Sequence, residues 1–169
     1  MSGTVWQDIE KEQNVNFTHK ERVFLRGRGG SDAAHKADEA LYHEMLVRHG
    51  ELERITLPLE NGIDTVTRVT SGDPKLVQIL HEHVLGMKKR FDGGRAIRSW
   101  DPLFVELFDH RDAIDFDWEM LSDGIRVRLM AETPEILELI RLHDETLHAF
   151  VRFGLKASRH ESPFRPDGE

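Results

Sequence analysis

The predicted fold depends on one stretch, Thr70-Ser71-Gly72-Asp73-Pro74-Lys75-Leu76-Val77-Gln78-Ile79-Leu80-His81-Glu82-His83-Val84-Leu85-Gly86-Met87. Asp73 is a favoured N-cap residue, and Pro74 is favoured at the first position of a helix. At about 100° per residue, one face of this helix is apolar, and His83 falls within that face. The apolar positions of the face are Leu76, Leu80, Val84 and Met87. The stretch therefore predicts a long amphipathic helix that carries a histidine toward the core.

A second helix of the same kind is predicted by Glu132-Thr133-Pro134-Glu135-Ile136-Leu137-Glu138-Leu139-Ile140-Arg141-Leu142-His143. Pro134 corresponds to Pro74, and Leu147 corresponds to Met87. His143 then occupies the position of His83. We interpret the two stretches as copies of one unit.

A β-hairpin is predicted before each of these helices. Residues 54–59 and 63–70 have strand composition, and Asn61-Gly62 between them is a typical two-residue turn in which both residues have positive φ. Residues 114–120 alternate strictly between apolar and polar, and residues 125–129 do so after Asp123-Gly124. Each hairpin therefore has one face suited to a core.

Counting back from the second turn gives a register for the second hairpin. It places Glu119 opposite Arg128 and Trp118 opposite Leu129. One face then pairs acidic with basic side chains, and the other pairs apolar side chains.

The two halves align as helix, hairpin, helix, which predicts an internally duplicated α+β fold. We expect repeat 1 over about 31–94 and repeat 2 over about 101–155, within a single domain over 31–155. Since one hairpin cannot stand alone, a four-stranded antiparallel sheet packed with helices is the expected architecture. Two hairpins on opposite sides of a helical core are the alternative. The alignment slips by two residues after the first turn, and we expect a bulge or a longer strand over 65–69.

The ends of the chain are predicted to lie outside this domain. Residues 1–30 have weak periodicity and end in a basic, glycine-rich sequence, which is typical of an arm or linker. Residues 156–169 are predicted to form a C-terminal tail. The first 16 residues lack the pattern of a signal peptide, so we expect a cytoplasmic protein, or a periplasmic one if a signal peptide was removed.

Composition limits the function classes. The 169 residues carry a formal net charge of -8, which argues against nucleic-acid binding and against an anionic membrane surface. No apolar run approaches the roughly 20 residues of a spanning helix. The chain has no cysteine, so disulfides, zinc–thiolate sites and cysteine-bound iron–sulfur clusters are excluded. Histidine and methionine remain as borderline and soft metal ligands.

Several motifs resemble those of a bacterial family of small tandem-repeat proteins, often exported, for which no activity is established. They cover roughly residues 40–155. In the first repeat they are Tyr42-His43-Glu44-Met45-Leu46, Asn61-Gly62-Ile63, Thr70-Ser71, Asp73-Pro74 and His83-Val84 with Met87; in the second, Asp101-Pro102-Leu103-Phe104 and Glu106-Leu107-Phe108 through His143. The resemblance implies a duplicated layout and a periplasmic home for such proteins, and no catalytic role. This chain departs from the family by lacking a signal peptide and by carrying Glu132-Thr133-Pro134 at the start of the second long helix.

The candidate site is the pair of inward-facing histidines. We predict that His83 and His143 face each other and bind a cofactor, either non-covalent haem b or a copper or other transition-metal ion. The candidate metal ligands are His49, His83, Met87 and His143. The alternative is that both histidines are core residues that donate a ring proton to a backbone carbonyl.

Two other functions stay open at this point. The chain could be a structural or regulatory protein-interaction module with no ligand, acting as a homodimer or with a protein partner through a sheet edge or the N-terminal arm. An enzyme with His43 or His49 as a base in an apolar pocket has no motif to support it.

Overall fold

Two β-hairpins lie at the centre of the fold, and each is preceded and followed by a helix. The structure is a computed structural model that describes residues 33–95, 98 and 100–162. The predicted N-terminal arm lies outside these residues. In chain order the elements are helix α1 (Ala33–Val47), strands β1 (Leu52–Leu59) and β2 (Gly62–Val69), helices α2 (Pro74–Gly93) and α3 (Pro102–Asp109), strands β3 (Ile114–Leu121) and β4 (Gly124–Ala131), and helices α4 (Pro134–Phe153) and α5 (Leu155–Ser158).

The four strands form one antiparallel sheet in the order β1-β2-β4-β3. This confirms the predicted α+β class with a four-stranded antiparallel sheet, and the alternative of two separate hairpins is wrong. The two hairpins meet through β2 and β4, where Thr65 pairs with Val127. Each hairpin thereby gains the neighbouring strands that it lacks alone.

Both hairpins have the same register. The pair Leu52–Val69 in the first hairpin corresponds to Ile114–Ala131 in the second, with the same offset in number for both residues. In a β2–β4 pair, this offset can be added to the number of the β2 residue and subtracted from that of the β4 residue, and the result is again a β2–β4 pair. The pair Thr65–Val127 gives itself. We call residues that correspond in this way matched residues. In the long helices α2 and α4, matched residues are counted from Pro74 and Pro134. Duplication of an ancestral unit stays a prediction.

The predicted turns are wrong by one residue. Leu59 pairs with Gly62, so the turn residues are Glu60 and Asn61, and Asn61 and Gly62 do not have the positive φ that was expected. The glycine is needed for a different reason. A Cβ on Gly62 would collide with the carbonyl oxygen of Leu129 on β4, so glycine permits the two strands to approach.

The same error displaced the predicted register of the second hairpin by two residues. Glu119 pairs with Arg126, and Trp118 pairs with Val127. Because side chains alternate with a period of two, this shift leaves every residue on its predicted face. The division into a charged face and an apolar face is therefore correct, although the partners are not.

The predicted bulge in β2 is also wrong. β2 and β4 are regular strands of 8 residues each. The two additional residues of the first half lie instead in the loop from Thr70 to Asp73, where Gly72 has φ 77°. The insertion therefore leaves the sheet intact and lengthens the connection to α2.

Both long helices begin at the predicted proline, and a capping side chain precedes each, as predicted for Asp73. Asp73 accepts a hydrogen bond from the Lys75 N–H at 2.9 Å, and Thr133 accepts one from the Ile136 N–H at 3.3 Å. Proline at the first helical position has no N–H to leave unpaired. Among the described helices, none is both long and apolar enough to cross a membrane.

Each long helix contacts the hairpin of the other half. In α4, Asp144 bonds to Arg54 of β1. In α2, Phe91 packs against Phe116 of β3, with ring centroids 5.7 Å apart. The hydrophobic core therefore includes residues from both halves, which makes them interdependent.

Candidate functional site

A cavity of about 190 Å³ lies between the inner face of the sheet and the helices. Its lining comes from all four strands and from α1 to α4, and it is mostly apolar. Thr65 and Val127, the pair at the centre of the β2–β4 register, are both part of the lining. The cavity thus lies where the two halves meet.

Three of the four predicted ligands line this cavity, namely His83, Met87 and His143. His83 and Met87 are one helical turn apart in α2, and His143 comes from α4. His49 is not among the lining residues. Its Nδ1 lies 2.7 Å from the carbonyl oxygen of Val151, so this histidine has a structural partner.

The two cavity histidines lack such a partner. Neither His83 Nδ1 nor His143 Nδ1 has a hydrogen-bond partner among the described residues. By contrast, Nε2 of His81 lies 2.7 Å from the carbonyl oxygen of Gly124. The carbonyl contact expected of a core histidine is therefore made by His49 and His81, and not by His83 or His143.

Desolvation keeps both cavity imidazoles neutral. Burial lowers the pKa of His83 to about 4, and the nearby Asp38 carboxylate only partly opposes this effect. Burial also lowers the pKa of His143 to about 4, with a further contribution from the Arg54 guanidinium. At pH 7 each ring therefore offers one N–H donor and one nitrogen acceptor.

Matched aromatic residues orient the two imidazoles. Tyr42 of α1 stacks on His83, with ring centroids 6.3 Å apart and planes at 27°. Phe104 of α3, the residue matched to Tyr42, meets His143 edge to face at 5.3 Å. Such contacts restrict the rotation of both rings at the cavity wall.

A buried ion pair lies beside the cavity and was not predicted. Arg54 of β1 donates to Oδ1 of Asp144 from Nε at 3.1 Å and from Nη2 at 2.8 Å. Arg54 Nη1 also donates to the Thr67 hydroxyl at 3.3 Å. Burial lowers the pKa of Arg54, and the Asp144 carboxylate opposes this effect. The sequence signal was the alternation of β1, which places Arg54 on the same face as Leu52.

A second buried network lies beside the cavity, at the connection between the halves. Arg98 lines the cavity and donates to Asp101 at 2.8 Å and to the Tyr42 hydroxyl at 3.2 Å. Asp101, which caps α3, also accepts from the N–H and the hydroxyl of Ser162. Residues beyond α5 are thereby held against α3, within the sequence region predicted as a tail.

The matched residues give the cavity two chemically different sides. Where the first half contributes a polar side chain, the second half contributes an apolar one at the matched position. The four pairs are Tyr42 and Phe104, Arg54 and Phe116, Thr65 and Val127, and Thr67 and Leu129. Histidine is present on both sides, as His83 and His143.

The predicted cofactors differ in how well they fit. Among the described residues no group of three or more His, Asp or Glu side chains could hold a metal ion, so a metal here would depend on two imidazoles and the Met87 thioether. Haem is much larger than benzene, which fills an engineered cavity of about 150 Å³. A haem would therefore require the helices to move away from the sheet.

Comparisons of the chain with protein-family models, with curated proteins and with solved structures find no match. The family resemblance described above therefore stays an expectation. The functional argument rests on the cavity and its lining.

Proposed function

We propose that this protein binds a small, mostly apolar molecule in the cavity between the sheet and the helices. The observation that carries the proposal is the pair His83 and His143, which line one apolar cavity and leave Nδ1 without a partner among the described residues. Buried polar atoms in folded proteins are usually hydrogen-bonded. Two imidazoles at one apolar cavity, each with a nitrogen that no described residue bonds to, therefore favour a ligand that contacts the two rings.

The size of the cavity limits the ligand. At about 190 Å³ it is somewhat larger than the roughly 150 Å³ cavity that accepts one benzene. A molecule of one or two rings is the expected size class. The mostly apolar lining supplies the affinity through burial of apolar surface, at roughly 25 cal/mol per Å².

Calorimetric titration with toluene and indole tests this proposal. We expect saturable one-to-one binding of at least one probe and a rise in the thermal midpoint of unfolding, because binding to the folded state alone stabilises it. Val127→Phe places a larger side chain at the centre of the cavity and should abolish binding. Val66→Phe is the control, since Val66 lies on the neighbouring strand β2 but points to the opposite face of the sheet. Failure of both probes to bind the wild type would contradict the proposal.

A second candidate function is binding of a soft metal ion such as Cu(I). It is favoured by Met87, whose thioether lines the same cavity as the two imidazoles. Imidazole and thioether suit Cu(I), and both imidazoles are already deprotonated at neutral pH, so binding would release no proton from them.

Competition with the Cu(I) chelator bicinchoninate tests the second candidate. We expect the wild type to take Cu(I) from the chelator. Met87→Leu gives position 87 the residue type of the matched Leu147 and should compete less well. His43→Gln is the control, because His43 is exposed on α1. If Met87→Leu and the wild type compete equally, the thioether is not a ligand.

A further inference from the structure

The inner face of the sheet forms one wall of the cavity, which we call the cavity floor. Its polar side chains are concentrated at one end of the sheet. Thr67 pairs with Arg54 in the β1–β2 register, so the two side chains lie next to each other on the inner face. At the opposite end, Phe116 pairs with Leu129 in the β3–β4 register. Thr65 and Val127 separate these two ends. The floor therefore changes from polar to apolar along one direction.

The polar end includes one of the two histidines. The Arg54 guanidinium acts electrostatically on the His143 ring, and Asp144, the partner of Arg54, follows directly after His143 in α4. The imidazole of His143, the hydroxyl of Thr67 and the guanidinium of Arg54 thus belong to one side of the cavity. A ligand with a single polar group would place that group here and its apolar part over the second hairpin.

The charged groups at the cavity are already neutralised by the protein. Arg54 is paired with Asp144, and Arg98 with Asp101. A charged ligand would enter without a free counter-charge, which is costly in an apolar cavity. The lining therefore favours an uncharged ligand.

Thr67 retains a hydrogen-bond donor for such a ligand. Its hydroxyl oxygen accepts from Arg54, and its hydroxyl hydrogen has no acceptor among the described residues. Thr65, two residues earlier on the same face, instead donates its hydroxyl hydrogen to the carbonyl oxygen of Val127 at 3.1 Å. Two cavity threonines thus differ in whether they can donate to a ligand.

We propose that the ligand is an uncharged aromatic alcohol of the phenol class, with its hydroxyl at Thr67, Arg54 and His143 and its ring over Val127, Leu129 and Phe116. This inference rests on the proposed function, since it assigns a ligand class to the same cavity. A phenol hydroxyl both donates and accepts a hydrogen bond, and it matches the Thr67 hydroxyl and the neutral His143 imidazole at the polar end.

Three probes of similar shape test this ligand class by calorimetry: p-cresol, toluene and 4-methylbenzoate. We expect p-cresol to bind about tenfold more tightly than toluene, which corresponds to one additional neutral hydrogen bond. The benzoate should bind more weakly than toluene, because its charge has no free partner. Thr67→Val should reduce the preference for p-cresol over toluene, whereas Thr65→Val should leave that preference unchanged.

The outcomes distinguish this inference from the proposed function. If toluene and p-cresol bind equally, or the benzoate binds most tightly, the phenol class is wrong while the cavity remains a binding site. If Thr65→Val and Thr67→Val change the preference equally, the assigned orientation is wrong. If none of the probes binds, the proposed function fails as well.

Discussion

Residues 33–95 and residues 100–162 arrange their strands and long helices in the same order, yet they contribute different side chains to the cavity. The first half provides Tyr42, Arg54 and Thr67, and the second half provides apolar residues at the matched positions. The backbone register tolerates this difference because it depends on strand pairing and on the matched glycines Gly62 and Gly124. One backbone arrangement can therefore enclose a cavity whose two sides have different polarity.

The largest expected effect of a single substitution comes from the buried ion pair, which only the polar side has. Asp144→Val leaves the Arg54 guanidinium buried without a counter-charge and should cost about 3–5 kcal/mol of unfolding free energy. The double variant Arg54→Phe with Asp144→Val gives these positions the residue types of their matched residues, Phe116 and Val84. It should recover most of the lost stability. Urea unfolding followed by circular dichroism measures both. A double variant as unstable as the single one would show that the two sides are not exchangeable.

The pH dependence of stability tests the feature that the two sides share. An unfolded histidine binds a proton below about pH 6.5, whereas His83 and His143 bind one only near pH 4. Between these values the unfolded state holds more protons, so stability falls as the pH falls. At about 1.4 kcal/mol per pKa unit, the loss by pH 4 is about 3 kcal/mol for each histidine.

Urea unfolding between pH 7 and pH 4.5 measures this loss, and the variant His83→Gln with His143→Gln is the comparison. The pH dependence of the variant should be much flatter. The charged groups that act on the two rings, Asp38 for His83 and Arg54, Asp144 and Arg98 for His143, stay unchanged in the variant. An equally steep dependence in both proteins would place the responsible groups elsewhere.

The matched glycines test whether the two halves depend equally on close strand approach. A Cβ at Gly62 would meet the carbonyl oxygen of Leu129, and a Cβ at Gly124 would meet that of Thr67. Each glycine-to-alanine variant should lose about 2 kcal/mol through overpacking, and by similar amounts. Gly50→Ala is the control, because no atom lies within 4 Å of its Cβ position. A large difference between Gly62→Ala and Gly124→Ala in thermal unfolding would argue against equivalent strand crossings.

The smallest effect is expected at the helix caps, where the halves differ in detail. Asp73 caps α2 and also accepts from Arg48 at 2.7 Å, whereas Thr133 caps α4 through one bond. Thr133→Ala should cost about 0.5–1 kcal/mol of unfolding free energy, and Asp73→Ala should cost more, because it removes both the cap and the Arg48 contact. Urea unfolding of the two variants ranks them, and the reverse order would mean that the Arg48 contact adds nothing.

Much of the fold could be predicted because capping residues, strand alternation and glycines are local signals. Asp73-Pro74 gave the start of α2, and the alternation of residues 114–120 gave the face of β3. The turns were misplaced because Asn61-Gly62 has the residue types of a positive-φ turn. Gly62 is instead required by the approach of β4, a tertiary contact that no local pattern contains.

The site could be predicted only in part, for a related reason. Helical periodicity brought His83 and His143 inward, and the structure places both at one cavity. Periodicity does not report whether the space between such residues is filled, because that depends on the volumes of side chains from every element. Arg54 and Asp144 were missed because a charged residue on a strand or helix usually faces water.

The crossing of each long helix onto the opposite hairpin has a consequence for how the chain reaches its native state on the ribosome. When residues 33–95 have emerged, α2 still lacks the strands that Phe91 and His81 contact, since β3 and β4 have yet to leave the ribosome. Completion of the shared hydrophobic core must wait for α4, the last long helix. Until α4 has emerged, the residues of the first half that belong to this core stay partly uncovered and accessible to chaperones.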